Sequence, residues 1–244
     1  LAARGSLSKM TRTLWRVTTW NVRRLQDVDA ALAVLRPLRP ALLALNEVDI
    51  KSQPDGLARL ACELDLPHIE FYGHVLGGQY GNALLARSPI VRRVATQLDG
   101  GTEGKLRDGS TKRIVRGLLV ADLAGFRVAV THLDHMAEAQ RVTQMKHLLS
   151  FLDASEGGAS PTLLLGDLNA LDGGDYSPAA WAEHERHNSA SGWGPPAGSA
   201  AAADLGSCSR RGATGVTLGL LFPPGARHGC PNPSRRNLQG LARA

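Results

Sequence analysis

The chain has no apolar run approaching the roughly 20 residues that a membrane-spanning helix needs. Its first residues also lack the apolar core of a secretory signal. Both absences predict a soluble, intracellular protein. Cysteine is scarce: Cys62, Cys208 and Cys230 are an odd number without metal-ligand spacing, which argues against a disulfide framework or a zinc site. Cys62 is expected on the inner face of a helix. No internal repeat is evident. Acidic residues are missing altogether from 205–244, where Arg210, Arg211, Arg227, Arg235, Arg236 and Arg243 stand. The net charge of +6 therefore belongs to that tail, because residues 1–204 carry 22 Lys plus Arg against 22 Asp plus Glu. Polyanion binding scales with the charges placed on phosphates, so a neutral body argues against a dedicated duplex-DNA binder.

What is present is enough for one substantial core. With 244 residues and 43% hydrophobic composition, a single α/β domain is expected. Residues 1–13 hold Arg4, Lys9 and Arg12 without an acid, which predicts a disordered N-terminal segment with Met10 a possible start. The alternative is the trailing end of a transit peptide, left behind in a chain that begins at Leu1. The domain is expected over 14–187. A Ser-, Gly-, Ala- and Pro-rich flexible linker follows over 188–209, then a basic Gly-, Pro- and Arg-rich tail over 210–244.

Within the domain, 14–20 reads as a strand, 28–38 as a helix ended by Pro37 and Pro40, 41–48 as a buried strand and 54–64 as a helix. Strands are expected at 68–75, 82–87, 90–96, 113–123 and 126–133, with no helices between them and hence antiparallel. The stretch 100–110 reads as a polar Gly-rich loop. A helix is expected over 136–152, with Ala139, Val142, Met145, Leu148, Leu149 and Leu152 on one face. A short strand at 162–165 and a helix at 178–187 complete the domain, and 216–222 is a plausible strand in the tail. Helices flanking strands in two groups predict an α/β sandwich of two packed, mostly antiparallel sheets with helices outside.

The ends of the apolar runs carry the chemistry: Trp20-Asn21, Asn46-Glu47, Tyr80-Gly81-Asn82, Thr131-His132-Leu133-Asp134-His135 and Gly166-Asp167-Leu168-Asn169. Hydrolysis of a phosphate ester at neutral pH needs a cation against developing charge, an activated water, and donors on the nonbridging oxygens. Mg²⁺ takes only one or two carboxylates and keeps several waters. Glu47 is the leading ligand for Mg²⁺ or Mn²⁺, and Asn21 could orient the metal or a phosphate oxygen. Asp167 and Asn169, two residues apart after a strand, can point to one side of its end. Each has a plainer alternative: an exposed strand-end Glu, a turn Asn, an Asx turn. His68, His74, His147, His184, His187 and His228 carry no site signal.

In identity and order these motifs resemble the endonuclease/exonuclease/phosphatase superfamily, over roughly Trp15 to Trp181. The resemblance implies a four-layer fold and a metal-dependent phosphoesterase acting as a monomer on nucleic acid or on a phosphorylated small molecule or lipid. It implies that Asp167 and Asn169 position the attacking water and the phosphate, and that His132 contacts the phosphate and stabilises the transition state. Asp134 and His135 extend the histidine motif. Arg141 braces the site, and Asn82 supports its floor. It also implies a late-strand Asp and a Ser-Asp-His, and neither follows Asn169. His228 is the only histidine after the linker and has no Asp beside it. The C-terminal part of the fold is therefore expected to be incomplete, and the tail reads as foreign to the domain. The alternative function is a catalytically inactive or truncated member that keeps at most metal or phosphate binding.

Overall fold

The computed structural model describes residues 15–105, 111–154, 161–171 and 176–194, and the backbone of 217–219. The expectations for 1–13, for 195–209, for Cys208, Cys230 and His228, and for the rest of the tail lie outside the described residues.

The first sheet is built from β1 (Val17–Arg24), β2 (Leu42–Asp49), β3 (His68–Val75) and β4 (Tyr80–Ala86) in the order β1-β2-β4-β3. Helix α1 (Val28–Leu38) carries the chain back, so that β2 lies parallel to β1, with Val17 opposite Leu42 and Asn21 opposite Asn46. Asp27 caps α1 by accepting from the Ala30 N–H. Pro37 sits inside the last turn of α1, which closes instead on Arg39 in a left-handed conformation. Helix α2 (Gly56–Leu64) follows β2. Cys62 is exposed, contrary to expectation, because α2 buries Leu57, Leu60, Ala61 and Leu64.

The second sheet contains β5 (Arg92–Gln97), β8 (Gly117–Leu123), β9 (Phe126–His132), β10 (Thr162–Asp167) and β11 (Thr217–Gly219), in the order β11-β10-β9-β8-β5. Between β5 and β8, β6 (Thr102–Lys105) pairs with β7 (Thr111–Ile114) in an antiparallel hairpin. The expected loop at 100–110 is thus partly strand, and the single strand expected over 113–123 breaks before Gly117. The middle strands pair antiparallel as expected, while β1·β2, β9·β10 and β10·β11 are parallel. Helix α3 (Glu138–Ala154) links β9 to β10. It buries Arg141, Gln144, Met145 and Leu148 but leaves Ala139 exposed. Helix α4 (Pro178–Ala190) starts on a Ser177 cap and runs three residues past the expected end at 187.

Three buried clusters define four layers. Leu32, Leu35 and Leu60 from α1 and α2 pack on Leu43, Leu45 and Leu85 of the first sheet. Leu42, Ala44 and Leu84 face Leu119, Val128, Val130 and Leu165 between the sheets. Met145 and Leu148 of α3 cover Leu118, Val120, Ala129 and Leu164 on the far side. Period-2 alternation produces this division, because Leu42 and Ala44 face one way and Leu43 and Leu45 the other. The architecture is the expected α/β four-layer sandwich. No helix among the described residues is long and apolar enough to cross a membrane.

Candidate active site

Both strands of the parallel pair β1·β2 break register at one level, between Asn21 and Arg24 and, against β4, between Leu45 and Val48. Such bulges re-aim side chains. Glu47 adopts a positive φ of 58°. As a result Asn46 turns fully inward, with no exposed surface, while Glu47 reaches the cleft with a quarter of its side chain exposed.

Asn46 ties the two sheets together. Its amide donates to the Asn82 Oδ1 at 2.8 Å and to the Thr131 carbonyl at 3.0 Å, and its Oδ1 accepts from the Asp167 N–H at 2.8 Å. Asn82, equally buried, donates to the Gly117 carbonyl at 2.9 Å. Gly166 makes room for this crossing. It has φ +132°, and a Cβ there would lie 1.8 Å from the Thr131 carbonyl oxygen and 3.2 Å from the Asn46 Oδ1.

On this floor four sequence-predicted residues meet. The Asn21 amide donates to the Glu47 Oε1 at 2.9 Å and to the Asp167 Oδ2 at 3.1 Å. His132 lies with Nδ1 3.9 Å from the Glu47 carboxylate and Nε2 3.9 Å from that of Asp167. Asn169 closes an Asx turn, its N–H donating to the Asp167 Oδ1 at 3.0 Å, and its side-chain amide donates to the Leu133 carbonyl at 3.0 Å. The plainer turn reading and the convergence therefore coexist, because the two oxygens of Asp167 serve different partners. Asp134, fully buried, caps the start of α3 by accepting from the N–H groups of Met136 and Ala137 and holds the β6 hairpin through Thr102. Arg141, also buried, donates to the Asp134 carbonyl at 3.0 Å and to Glu138 at 2.6 Å.

Two neighbours had no role assigned from the sequence, Arg116 and the Tyr80 of the Tyr80-Gly81-Asn82 motif. Arg116, 6% exposed, reaches the Nδ1 of His135 at 2.9 Å and the Nδ1 of His132 at 3.4 Å. A guanidinium only donates, so both Nδ1 atoms accept and the ring protons sit on Nε2. Its own Nε has no partner among the described residues. The signal for Arg116 was a charge interrupting the apolar stretch 114–120. Tyr80 hydrogen-bonds Glu47, and burial first, then the Glu47 charge, pushes its phenol up, so it remains a donor. Tyr80 stands two residues from Asn82 on one strand and so shares its face.

Burial pushes the His132 imidazole well below its ordinary value, and the Arg116 charge adds to this. His135 is lowered for the same reasons. His74 is lowered to about 4 by burial, partly offset by a backbone hydrogen bond at Tyr72. All three are neutral at pH 7.

An open cleft of about 620 Å³ joins Asn21, Glu47 and Asp167 on one wall to His184, His187 and Trp193 on the other. The site-free reading of His184 and His187 is thus corrected: α4 places both on the cleft. Trp193 meets His135 and His187 edge-to-face at 4.9 and 5.4 Å, and the Gly194 N–H donates to the Met136 carbonyl at 2.8 Å, docking this wall beside His135. His74 packs against the floor, where a Cβ on Gly117 would meet its ring.

Among the described residues, no three or more His, Cys, Asp or Glu side chains form a metal cage. Two carboxylates bridged by a carboxamide are instead a sparse, hard-oxygen donor set. That suits an ion which keeps most of its waters, as Mg²⁺ does. The residues present therefore fit a divalent hard cation.

The chain matches the model of the Endonuclease/Exonuclease/phosphatase family over residues 18–232 and belongs to that family. The activities in that name are all hydrolyses of phosphate esters. The match ends inside the segment 210–244. Among solved structures, the human Nocturnin catalytic domain is 21% identical, covering 64% of this chain and 64% of that one, with a TM-score of 0.49. Truncated Caenorhabditis elegans TDP2 is 19% identical, covering 66% of this chain and 64% of that one, at 0.44. A mannosyl-6-phosphatase from Bacteroides thetaiotaomicron is 17% identical, covering 63% of this chain and 65% of that one, at 0.45. The chain thus spans a little under two thirds of these proteins. No curated protein sequence matches it.

Proposed function

We propose that this chain is a divalent-metal-dependent phosphoesterase that hydrolyses a phosphodiester or phosphomonoester of a nucleic acid, small molecule or lipid. The observation that carries this reading is the Asn21 amide bridging Glu47 and Asp167 with His132 3.9 Å from each. Glu47 would hold Mg²⁺ or Mn²⁺, which when bound supplies charge neutralisation on a phosphate oxygen, and Asn21, whose amide N–H groups face Glu47 and Asp167 while its Oδ1 accepts from the Arg23 N–H, orients the two carboxylates beside it. Tyr80 donates to Glu47 and holds its carboxylate in place. Asp167 orients the attacking water and accepts its proton as the water oxygen bonds to phosphorus and the P–O bond to the leaving alcohol breaks, the proton then passing to the leaving oxygen, while Asn169 positions the phosphate. Neutral His132, with its proton on Nε2, donates to a nonbridging oxygen as charge develops there. Arg116, buried beside both imidazoles, adds a permanent positive charge. Asn82, Asp134 and Arg141 position these groups from behind.

The test has two readouts. Manganese titration followed by the electron-spin resonance of free Mn²⁺ should show one site, weakened at least tenfold in Asn21→Ala. Hydrolysis of bis(p-nitrophenyl) phosphate beside p-nitrophenyl phosphate should require the metal and rank diester against monoester. Manganese binding without hydrolysis of either would favour the binding-only member instead.

A further inference from the structure

We propose that a second anion-binding site lies at the opposite pole of the sandwich, where Arg16, Arg39 and Arg87 converge to hold a compact phosphate-bearing anion. The register separates the two poles. Asn21 pairs with Asn46 at the catalytic end, whereas Val17 pairs with Leu42, and Leu42 with Ala86, at the other. Five residues of strand, at about 3.3 Å each, put Arg16 about 16 Å from Asn21.

A cavity of about 300 Å³ there is lined by Arg16, Arg39, Ala41 and Arg87. The backbone fixes this convergence. The Ala41 and Leu42 N–H groups donate to the Arg16 carbonyl at 2.7 and 3.2 Å, and the Arg87 N–H donates to the Ala41 carbonyl at 3.0 Å. Ala41 is the small residue at the junction of all three segments. Arg39 holds the left-handed conformation that ends α1, at φ 47° and ψ 58°, a position where glycine is the usual residue.

The charge at this pole is not neutralised. Arg87 pairs with Asp65 at 3.3 Å and donates to the Asp65 and Pro40 carbonyls, at 3.3 and 3.2 Å. That carboxylate is 85% exposed. Arg16 and Arg39 have no carboxylate partner among the described residues. Three arginines thus line one cavity, and among the described residues Asp65 is the one carboxylate paired with any of them. An anion offering several oxygens to planar donor forks is the complement, and phosphate has that geometry.

The test uses the full chain with pyrophosphate as probe, followed through the Ala41 amide and the Nε–H resonances assigned to Arg16, Arg39 and Arg87. These nuclei lie remote from the catalytic cleft, so binding there does not move them. Pyrophosphate should shift them, and Arg16→Gln and Arg39→Gly should each weaken binding about tenfold or more. Metal-dependent hydrolysis should stay unchanged in both. Arg39→Gly also controls for folding, because glycine adopts the left-handed conformation freely and its melting temperature should not fall. Vesicles carrying a phosphoinositide distinguish the source of the anion. Sedimentation of the wild type but not of Arg16→Gln assigns a lipid headgroup, and pyrophosphate binding without sedimentation assigns a soluble anion. No shift of these resonances at millimolar pyrophosphate, or unchanged affinity in both variants, overturns the proposal.

Discussion

The backbone N–H of Asp167 donates to the side-chain oxygen of Asn46 at 2.8 Å, across the gap between the two sheets. The same carboxamide holds Asn82 and the Thr131 carbonyl. One buried side chain thus sets the height of Asp167 relative to Glu47, the next residue along its own strand. Asn46→Leu would leave the Asn82 oxygen, the Thr131 carbonyl and the Asp167 N–H without this partner. Each orphaned buried group costs about 1–3 kcal/mol, so we expect a loss of roughly 3 kcal/mol or more by urea denaturation. Asn46→Gln keeps the groups but lengthens the arm, and should lower kcat more than stability.

Gly166→Ala tests the close crossing beside that bond. The added Cβ would meet the Thr131 carbonyl oxygen at 1.8 Å, in a backbone conformation with φ +132°. β10 must then separate from β9. Destabilisation of about 3 kcal/mol or more is expected, together with loss of hydrolysis. A melting temperature within two degrees of wild type, on the order of a 0.5 kcal/mol effect, would contradict the described crossing.

Arg116 serves both stability and function. It is a buried cation with an unsatisfied Nε, but its other donors hold the Nδ1 atoms of His132 and His135, and the charges of Asp134, Glu47 and Asp167 lie near it. Removing one partner of such a buried set leaves the others unpaired, each orphaned group costing about 1–3 kcal/mol. Arg116→Met should therefore melt lower than the wild type. Its KM for a phosphate ester should rise about tenfold or more, the loss expected for one charge-assisted contact. A lower melting temperature with unchanged KM would show that Arg116 serves packing alone.

Acid should weaken the fold through buried histidines. His74 falls from 6.5 to about 4 in the folded state. Between those values the unfolded chain binds the proton and the folded one does not, so stability is lost as pH falls through this window and is constant above it. The loss attributable to His74 is roughly 3 kcal/mol, and His132, lowered by burial, pushes the same way. Thermal melts from pH 7.5 to 4 should show this slope, and His74→Gln should flatten it.

Much of the site could be read from strand ends. Asn21, Glu47, His132 and Asp167 follow apolar runs whose termini the fold brings to one pole, and the grouping of strands between flanking helices was enough to foresee two packed sheets. Residues governed by tertiary geometry were not legible. Asn46 and Glu47 are adjacent and face opposite ways because of a bulge, which no periodicity encodes. Arg116 acts through a long side chain from a strand start. His184, His187 and Trp193 join the cleft only because the end of α4 docks on the Met136 carbonyl. Cys62 lies one position off the buried face of α2, too fine a difference for spacing to resolve. The hairpin of β6 and β7 has polar strands, so it lacked the apolar pattern by which the other strands were found.

On the proposed function, Glu47, bridged by Asn21 to Asp167, is required for metal-dependent hydrolysis of a phosphate ester. The most direct measurement is the Mg²⁺ dependence of bis(p-nitrophenyl) phosphate hydrolysis by the wild-type chain beside Glu47→Gln, with matched thermal melts. Glu47→Gln keeps the side-chain length and the hydrogen-bonding capacity, so folding should be preserved. Mg²⁺-saturable turnover is expected in the wild type, with a loss of at least about a hundredfold in the variant, corresponding to roughly 2.7 kcal/mol. Equal turnover by the two folded proteins, or wild-type hydrolysis indifferent to Mg²⁺ and chelator, would contradict the proposed function.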